Sequence, residues 1–370
     1  MDSRDYSYDW LRAFSAIMIV LCHICQGFGI STSLGYYLGG TYVCVFLLLS
    51  AYLLGEHHRE RISATPWLFL KSRMKRLCTT YYTYLTLLFI VIGLCGLGHL
   101  ALKQVVGHYI FLNWFLPPTR IYQSPLPQLG HLWFMSCIVW AYLIITLLPL
   151  ILGFVKRTNK FWLYSTIGWF VCGTLLCSYS RYFIYPSVVL SLYPLVFFKG
   201  NVVFSYIRRV PRLILVVILL LCNLGTIVGF QYGLYENPPL VFGTITINSM
   251  CWIAATPVIF NRKHIPKAVA FISTISFEIY LVHHPFCLGH YSLANYMPTW
   301  MAVIIVFTIS VVLAYLLSLL VKIVTIYTTG VYPPRTQIEI TQVIYEIKYN
   351  HIRTNYFQYA NQYRVKQFQS

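Results

Sequence analysis

Charge is the scarcest property of this sequence. Of its 370 residues only 10% are charged and just 9 are acidic, whereas a soluble globular domain carries charge on about a quarter of its positions. With 58% of residues hydrophobic and a mean hydropathy of +0.66, too little polar material exists to cover a soluble domain of this size. The 27 basic residues give a formal net charge of +18. On a soluble chain that excess points to nucleic acid. Here the bases punctuate apolar runs of membrane-spanning length, so they read as topology signals and nucleic acid is not expected as a partner. Also missing are a Gly-rich phosphate loop, an HExxH zinc motif and a GxSxG elbow. Their absence removes ATP-driven transport by this chain alone, zinc proteolysis and esterase-type serine chemistry. The 11 cysteines are scattered, most of them inside apolar runs (Cys22, Cys95, Cys172, Cys222, Cys251), without the spacing of a disulfide framework or a zinc site. Cys22 and Cys25 have CxxC spacing but sit within a helical run, not between a strand and a helix start, so no redox motif is read there. No metal is expected.

What the chain does have is apolar runs. A bilayer span needs about 20 mainly apolar residues, and candidates fall at 10–29, 36–54, 78–98, 131–153, 161–178, 183–199, 212–230, 240–260, 268–288 and 300–322. The fold class is therefore an all-α integral membrane protein, a bundle of about ten transmembrane helices. With Met1 inside, the inner connections are 55–77, 154–160, 199–212 and 261–267, followed by a tail from Lys322. All Lys and Arg then lie inside except Lys103, Arg120, Arg181 and the intramembrane Arg12, which places both termini in the cytoplasm. The first span lacks a small-x-small cleavage site and is longer than a signal core, so it is expected to be retained. Residues 99–130 form a long outer connection with a short interfacial helix near Gln104 to Phe115, and 331–370 a polar cytoplasmic tail after the membrane domain 1–330.

Ionisable groups inside a span are costly and face the bundle interior, so each is a functional candidate. Arg12 and His23 lie in the first span. Eleven residues at about 100° each come to about 20° beyond three full turns, so both project from one face, about 16 Å apart along the axis. Ser15, Ala16, Ile19, Cys22 and Gln26 fall on or near this stripe, a small and polar face on an otherwise apolar helix. Arg12 alone also reads as a side chain snorkelling to headgroups, while an imidazole in the outer half suits proton handling. Arg73 and Arg76, at i, i+3 spacing where the third span begins, share one helix face and can grip a phosphate or carboxylate. A solvated face that fixes topology and touches anionic lipid is the plainer reading of the same run. The ninth span carries Glu278 deep in the membrane and the pair His283–His284 towards the outside, and His131-Leu132-Trp133 opens the fourth span on that side. An isolated His–Trp pair is an interfacial anchor; several histidines in the outer half of three spans suggest convergence.

The arrangement resembles the acyltransferase-3 family of integral membrane acyltransferases, whose bacterial members O-acetylate lipopolysaccharide, capsule and other extracytoplasmic glycans. The resemblance begins with the run Arg12 to His23, where the family has an Arg and a His at this separation in its first helix. It continues in Phe46-Leu47-Leu48-Leu49-Ser50-Ala51-Tyr52, similar to the family's Phe-Phe-x-x-Ser-Gly-Phe/Tyr, and in Arg73-Met74-Lys75-Arg76, its RxxR. His131-Leu132-Trp133-Phe134 and Tyr280-Leu281-Val282-His283 look like its later landmarks. Departures are Leu47 for the second Phe, Ala51 for Gly, Thr79 at a frequent Pro position and Ile138 where many members carry Glu.

The resemblance implies transfer of an acyl group, acetyl being the family's usual cargo, from acyl-coenzyme A to a hydroxyl of a cell-surface or lipid-linked glycan, in the bacterial cytoplasmic (inner) membrane among its lipids. It assigns His23 as base and Arg73 and Arg76 as ligands of the coenzyme's phosphates. Arg12 then either holds the donor or polarises the carbonyl, while His283, Glu278, His131, Trp133 and Ser50 are candidates for substrate contact or support. The protein is expected to act as a membrane domain alone, without an appended hydrolase-like domain. The rival readings are a multi-pass transporter or flippase of a lipid-linked glycan, whose path the intramembrane Arg, His and Glu would line, and a structural or sensory membrane scaffold.

Overall fold

The computed structural model describes residues 5–95, 102–112, 127–151, 159–179, 183–260, 263–289 and 291–329. Contacts divide the chain into Met1–Ser318 and Leu319–Ser370, and the fold below is that of the first unit. The expected tail 331–370 and the Pro117-Pro118 part of the outer connection lie outside the described residues.

Among the described residues there are helices and no strands, as a chain with no bilayer water to satisfy its backbone requires. In order they are α1 Ser7–Gly27, α2 Thr32–Ala64, α3 Pro66–Leu94, α4 Leu102–Tyr109, α5 Trp133–Ile151, α6 Asn159–Tyr179, α7 Ile184–Ile207, α8 Arg212–Gln231, α9 Pro238–Ile259, α10 Lys267–Thr274, α11 Ser276–Val282, α12 His284–Cys287 and α13 Thr299–Thr329. Eight of these are long and apolar enough to cross a membrane: α1, α2, α3, α5, α7, α8, α9 and α13. The expected fifth span falls on α6.

Two expectations are corrected. The inner connection 55–77 is not a loop: α2 continues to Ala64 and α3 starts at Pro66. Hydropathy ends near Leu54 because the bilayer ends, but Glu, His and Arg after it are compatible with helix in water, and Pro66 suits a helix start. The expected ninth span, 268–288, is not one helix but the chain of short helices α10, α11 and α12. Pro285 lacks the N–H that would continue the ladder to the Leu281 carbonyl, so α11 ends at Val282 and the proline sits in the first turn of α12. At the first break the Ser276 hydroxyl donates to the Ser273 carbonyl at 2.9 Å, a side-chain bond that competes with the helical ladder.

α2 is the central helix. Within its apolar window 72% of residues are buried, against 22% for α8 and α13, which turn Leu213, Leu220, Leu224, Ile304 and Leu316 outward as a lipid-facing surface does. Helices in lipid gain little from hydrophobic burial against one another, so close packing and interhelical hydrogen bonds must hold them. Both are present. A Cβ on Gly55 would lie 2.1 Å from the Phe197 carbonyl oxygen, so α2 and α7 touch backbone to backbone, and Arg59 donates to the Phe198 carbonyl at 3.0 Å beside it. Between α2, α8 and α9 the Asn223 Oδ1 accepts from Trp252 Nε1 at 3.2 Å, from Asn248 Nδ2 at 3.4 Å and from the Tyr37 hydroxyl.

α1 runs alongside α10–α12 in the same direction. Near its start, Asp9 accepts from the Ser273 hydroxyl at 3.0 Å; at its end, a Cβ on Gly27 would lie 1.9 Å from the Cys287 carbonyl oxygen. The run of short helices is thus clamped to α1 at both ends.

Gly27→Ala and Gly55→Ala each force a methyl into backbone, and overpacking of this kind costs about 1–3 kcal/mol. Both should lower the thermal unfolding midpoint in detergent, and Gly27→Ala, which displaces α12, should also lose activity out of proportion to its stability. A second prediction concerns α4, which is not one of the candidate spans. Burial of His108 pushes its imidazole down from 6.5 to about 4. The neutral form is favoured in the fold, so stability from this site is intact above about pH 6.5 and falls as the pH drops from there towards about 4. Hydrogen exchange of α4 should quicken over that window in the wild type and lose this pH dependence in His108→Gln.

Candidate active site

At the Gly27 end of α1 four imidazoles meet. His23 comes from α1, His131 from the 3-10 turn Pro127–Leu132 that leads into α5, and His283 and His284 from the break between α11 and α12. The His23 ring centre lies 5.0 Å from that of His283, 4.6 Å from His284 and 6.5 Å from His131, while His131 and His284 stack at 4.3 Å. His131, His283 and His284 are buried at 2%, 0% and 4% exposure.

The hydrogen bonds fix which nitrogens carry protons. A carbonyl oxygen only accepts, so His283 Nδ1, 2.9 Å from the Ile279 carbonyl, bears a hydrogen and donates it. In neutral His283 that leaves Nε2 as a lone pair. His23 Nδ1 lies 2.8 Å from this lone pair and donates to it, with the Ile19 carbonyl a further acceptor for the same ring. His23 is left with a bare Nε2. The same logic gives His131 a hydrogen on Nε2, donated to the Leu281 carbonyl at 3.0 Å. Its Nδ1 is buried and has no hydrogen-bond partner among the described residues. The Tyr280 hydroxyl donates to the His131 carbonyl and holds the turn in place. Ring nitrogens spent on carbonyls and on each other are poorly arranged as ligands, and among the described residues no group of three or more His, Cys, Asp or Glu side chains is placed to hold a metal ion.

Arg12 shares the α1 face with His23 but reaches a different partner set. Its guanidinium donates to Asp9 at 3.0 Å and approaches the Ser273 hydroxyl of α10 at 3.5 Å. Asp9 is buried at 6% exposure, so this ion pair is partly shielded from solvent.

Arg73 and Arg76 lie in the first half of α3, Arg73 half-buried and Arg76 exposed. Both act electrostatically on the phenol of Tyr142 in α5, and Arg73 on that of Tyr193 in α7. The Ser50 hydroxyl is 3.5 Å from the Tyr193 hydroxyl and also bonds Tyr142. The fold thus brings Ser50 of α2 to the arginine pair, not to the histidines. Trp133 packs on Tyr185 of α7 at 4.4 Å, and Tyr185 donates to the Gly39 carbonyl at 3.5 Å. Glu278 is half-buried in the first turn of α11, between the Ser273 and His283 levels of that run.

Several members of these two clusters were not singled out from sequence. His284 was visible as half of a histidine pair. Asp9, Ser273, Tyr142 and Tyr193 gave no signal, since a Ser, a Tyr or an Asp near a span's end is common in any membrane helix.

No curated protein and no solved structure matches the chain. The profile of a protein family, described as an acyltransferase domain, matches residues 5–319 and so takes in every helix that supplies the histidines and the arginines. The chain belongs to the acyltransferase-3 family, which makes the bundle a membrane-embedded acyltransferase.

Proposed function

We propose that the protein moves an acyl group, acetyl in the simplest case, from acyl-coenzyme A to a hydroxyl of a surface or lipid-linked glycan. The observation that carries this reading is the bare Nε2 of His23, held on the bundle's polar face by the bond from its Nδ1 to His283. A thioester is already activated, so the protein chiefly has to supply a base and a grip on the donor. His23 Nε2 takes the proton of the attacking hydroxyl as its oxygen bonds to the thioester carbonyl carbon. When the tetrahedral species collapses, the carbon–sulfur bond breaks and the imidazolium returns the proton to the departing thiolate. His283 is then a positioning residue: it fixes the tautomer and ring angle of His23, as an orienting partner does in other base-dependent acyl transfers.

Arg73 and Arg76 hold the phosphates of the donor at the Ser7 side of the bundle, which the positive-inside pattern assigns to the cytoplasm. Arg12 sits between the two loci on the α1 stripe. Its pairing with Asp9 favours a role in holding the donor over one in polarising the carbonyl, because the carboxylate already meets much of its charge. The rise of about 16 Å from Arg12 to His23 suits the length of a pantetheine arm. On the acceptor side, His131 Nδ1 is a lone pair with no hydrogen-bond partner among the described residues, and it accepts a hydrogen bond from the glycan. The transport reading raised by the sequence is set aside, since family membership makes the chain an acyltransferase.

Purified protein given labelled acetyl-coenzyme A and a panel of glycans tests this. His23→Ala should lower transfer by about 10²–10⁴-fold, and full activity in that variant removes the base assignment. His283→Phe should lose about 10²-fold in kcat, and His283→Gln, whose side-chain carbonyl can accept from His23 Nδ1, should regain part of the loss. For the donor, Arg73→Ala and Arg76→Ala should each raise KM for acetyl-coenzyme A about tenfold with kcat little changed. Equal affinity in wild type and variants reduces the pair to a topology signal.

A further inference from the structure

Arg208 ends α7, in a stretch whose charges the sequence explains as topology. In the fold its side chain turns inward. Nη2 donates to the Tyr52 hydroxyl at 3.1 Å and to the Tyr8 hydroxyl, and the guanidinium carbon lies 5.7 Å from the centre of the Tyr52 ring. The two tyrosines are 3% and 6% exposed and their rings are 5.3 Å apart. Phe204 meets Tyr52 edge-on at 5.1 Å, and Gly200 leaves the ring its room, since a Cβ there would be 2.9 Å from Tyr52 Cδ2. The cradle is therefore rigid.

It is also electrically incomplete. Phenols orient a guanidinium without neutralising it, and among the described residues no carboxylate lies within 4.0 Å of Arg208, Glu56 acting on it only from farther off. Both hydrogens of Nη2 are spent on the tyrosines, while Nε is buried and has no hydrogen-bond partner among the described residues. A buried donor on a charged group is costly to leave unmade, and Nη1, which makes no bond to the tyrosines, keeps its hydrogens to offer a phosphate oxygen. Tyr8 is one turn before Arg12, about 40° round the helix from it, so the cradle stands at the Ser7 end of the same α1 stripe that leads to His23. It is separate from the arginine pair of α3, because Ser50 and Tyr52 project about 200° apart from α2.

We propose that Arg208, held by Tyr8 and Tyr52, is a second anion site of the bundle, one that takes a phosphate ester. Two sources share that chemistry. One is the phosphates of the acyl-coenzyme A donor, which rests on the function proposed above. The other is the headgroup of an anionic lipid.

The full chain in nanodiscs of phosphatidylcholine decides the matter, with binding of coenzyme A and of pantetheine, which lacks phosphate, measured for wild type, Arg208→Gln and Arg208→Lys. If the site holds the donor, Arg208→Gln weakens coenzyme A about tenfold or more and leaves pantetheine unchanged, and Arg208→Lys recovers part of the loss. If it holds a headgroup, coenzyme A binds the variants as it binds the wild type, and adding phosphatidylglycerol to the discs raises the unfolding temperature of the wild type but not of Arg208→Gln. The proposal is overturned if Arg208→Gln changes neither quantity. Should the wild type fail to bind coenzyme A at all, the acyl-coenzyme A reading falls and the phosphatidylglycerol comparison alone judges Arg208. Tyr8→Phe and Tyr52→Phe, which keep the rings and loosen the guanidinium, carry the same comparison if Arg208→Gln does not fold.

Discussion

Inside a bilayer no water is available to a polar group, and that constraint organises the bundle. Each polar side chain that enters must bring a partner, and the partners tie the elements together. Asp9 with Ser273 at one end of α1 and His23 with His283 at the other fasten α1 to the broken run α10–α12. The break itself follows from the same need. Had 268–288 stayed one helix, the Leu281 carbonyl would be taken by its own ladder; because Pro285 has no N–H to give it, that carbonyl is available to His131, while the Ile279 carbonyl accepts both the backbone N–H and the Nδ1 hydrogen of His283. The irregular backbone at membrane depth is tolerated because it is buried among other helices and lines the histidine cluster.

The two ends of the polar stripe differ in kind. The Ser7 end carries guanidiniums: Arg12 with a buried carboxylate, Arg73 and Arg76 against Tyr142 and Tyr193, Arg208 against Tyr8 and Tyr52. The Gly27 end is built from imidazoles whose hydrogen bonds are those of neutral rings. Full charge sits where a headgroup layer or water can share its solvation cost, and titratable but neutral groups sit where it cannot be shared. On the function proposed, binding an anion and moving a proton are thus separated along one helix face.

Much of this was legible in the sequence. Helical periodicity alone put Arg12 and His23 on one face, and the structure turns both towards α10–α12. The meeting of His131 and His283 with His23 was visible as histidines in the same half of three spans, though not their order of donation, which depends on carbonyls that no sequence pattern marks. The continuation of α2 to Ala64 was hidden because hydropathy reports the bilayer, not the helix. Ser50 was visible as part of a motif, but its neighbours Tyr142 and Tyr193 lie about ninety and more than a hundred residues away along the chain, a pairing only tertiary contact creates. The bonds of Arg208 to Tyr8 and Tyr52 were hidden for an instructive reason. Topology accounts for a basic residue at a span's end so readily that a second role leaves no trace until the side chain is seen to turn inward.

The carbonyl of Ile279 has a further consequence. It accepts the hydrogen of His283 Nδ1 and can hand nothing on, so the chain from His23 to His283 stops at a peptide group. A row of imidazoles in a membrane is otherwise the material of a proton wire. Here the row is capped. On the function proposed, a proton gathered at His23 departs with the chemistry that delivered it, since this branch of the bundle offers it no onward acceptor.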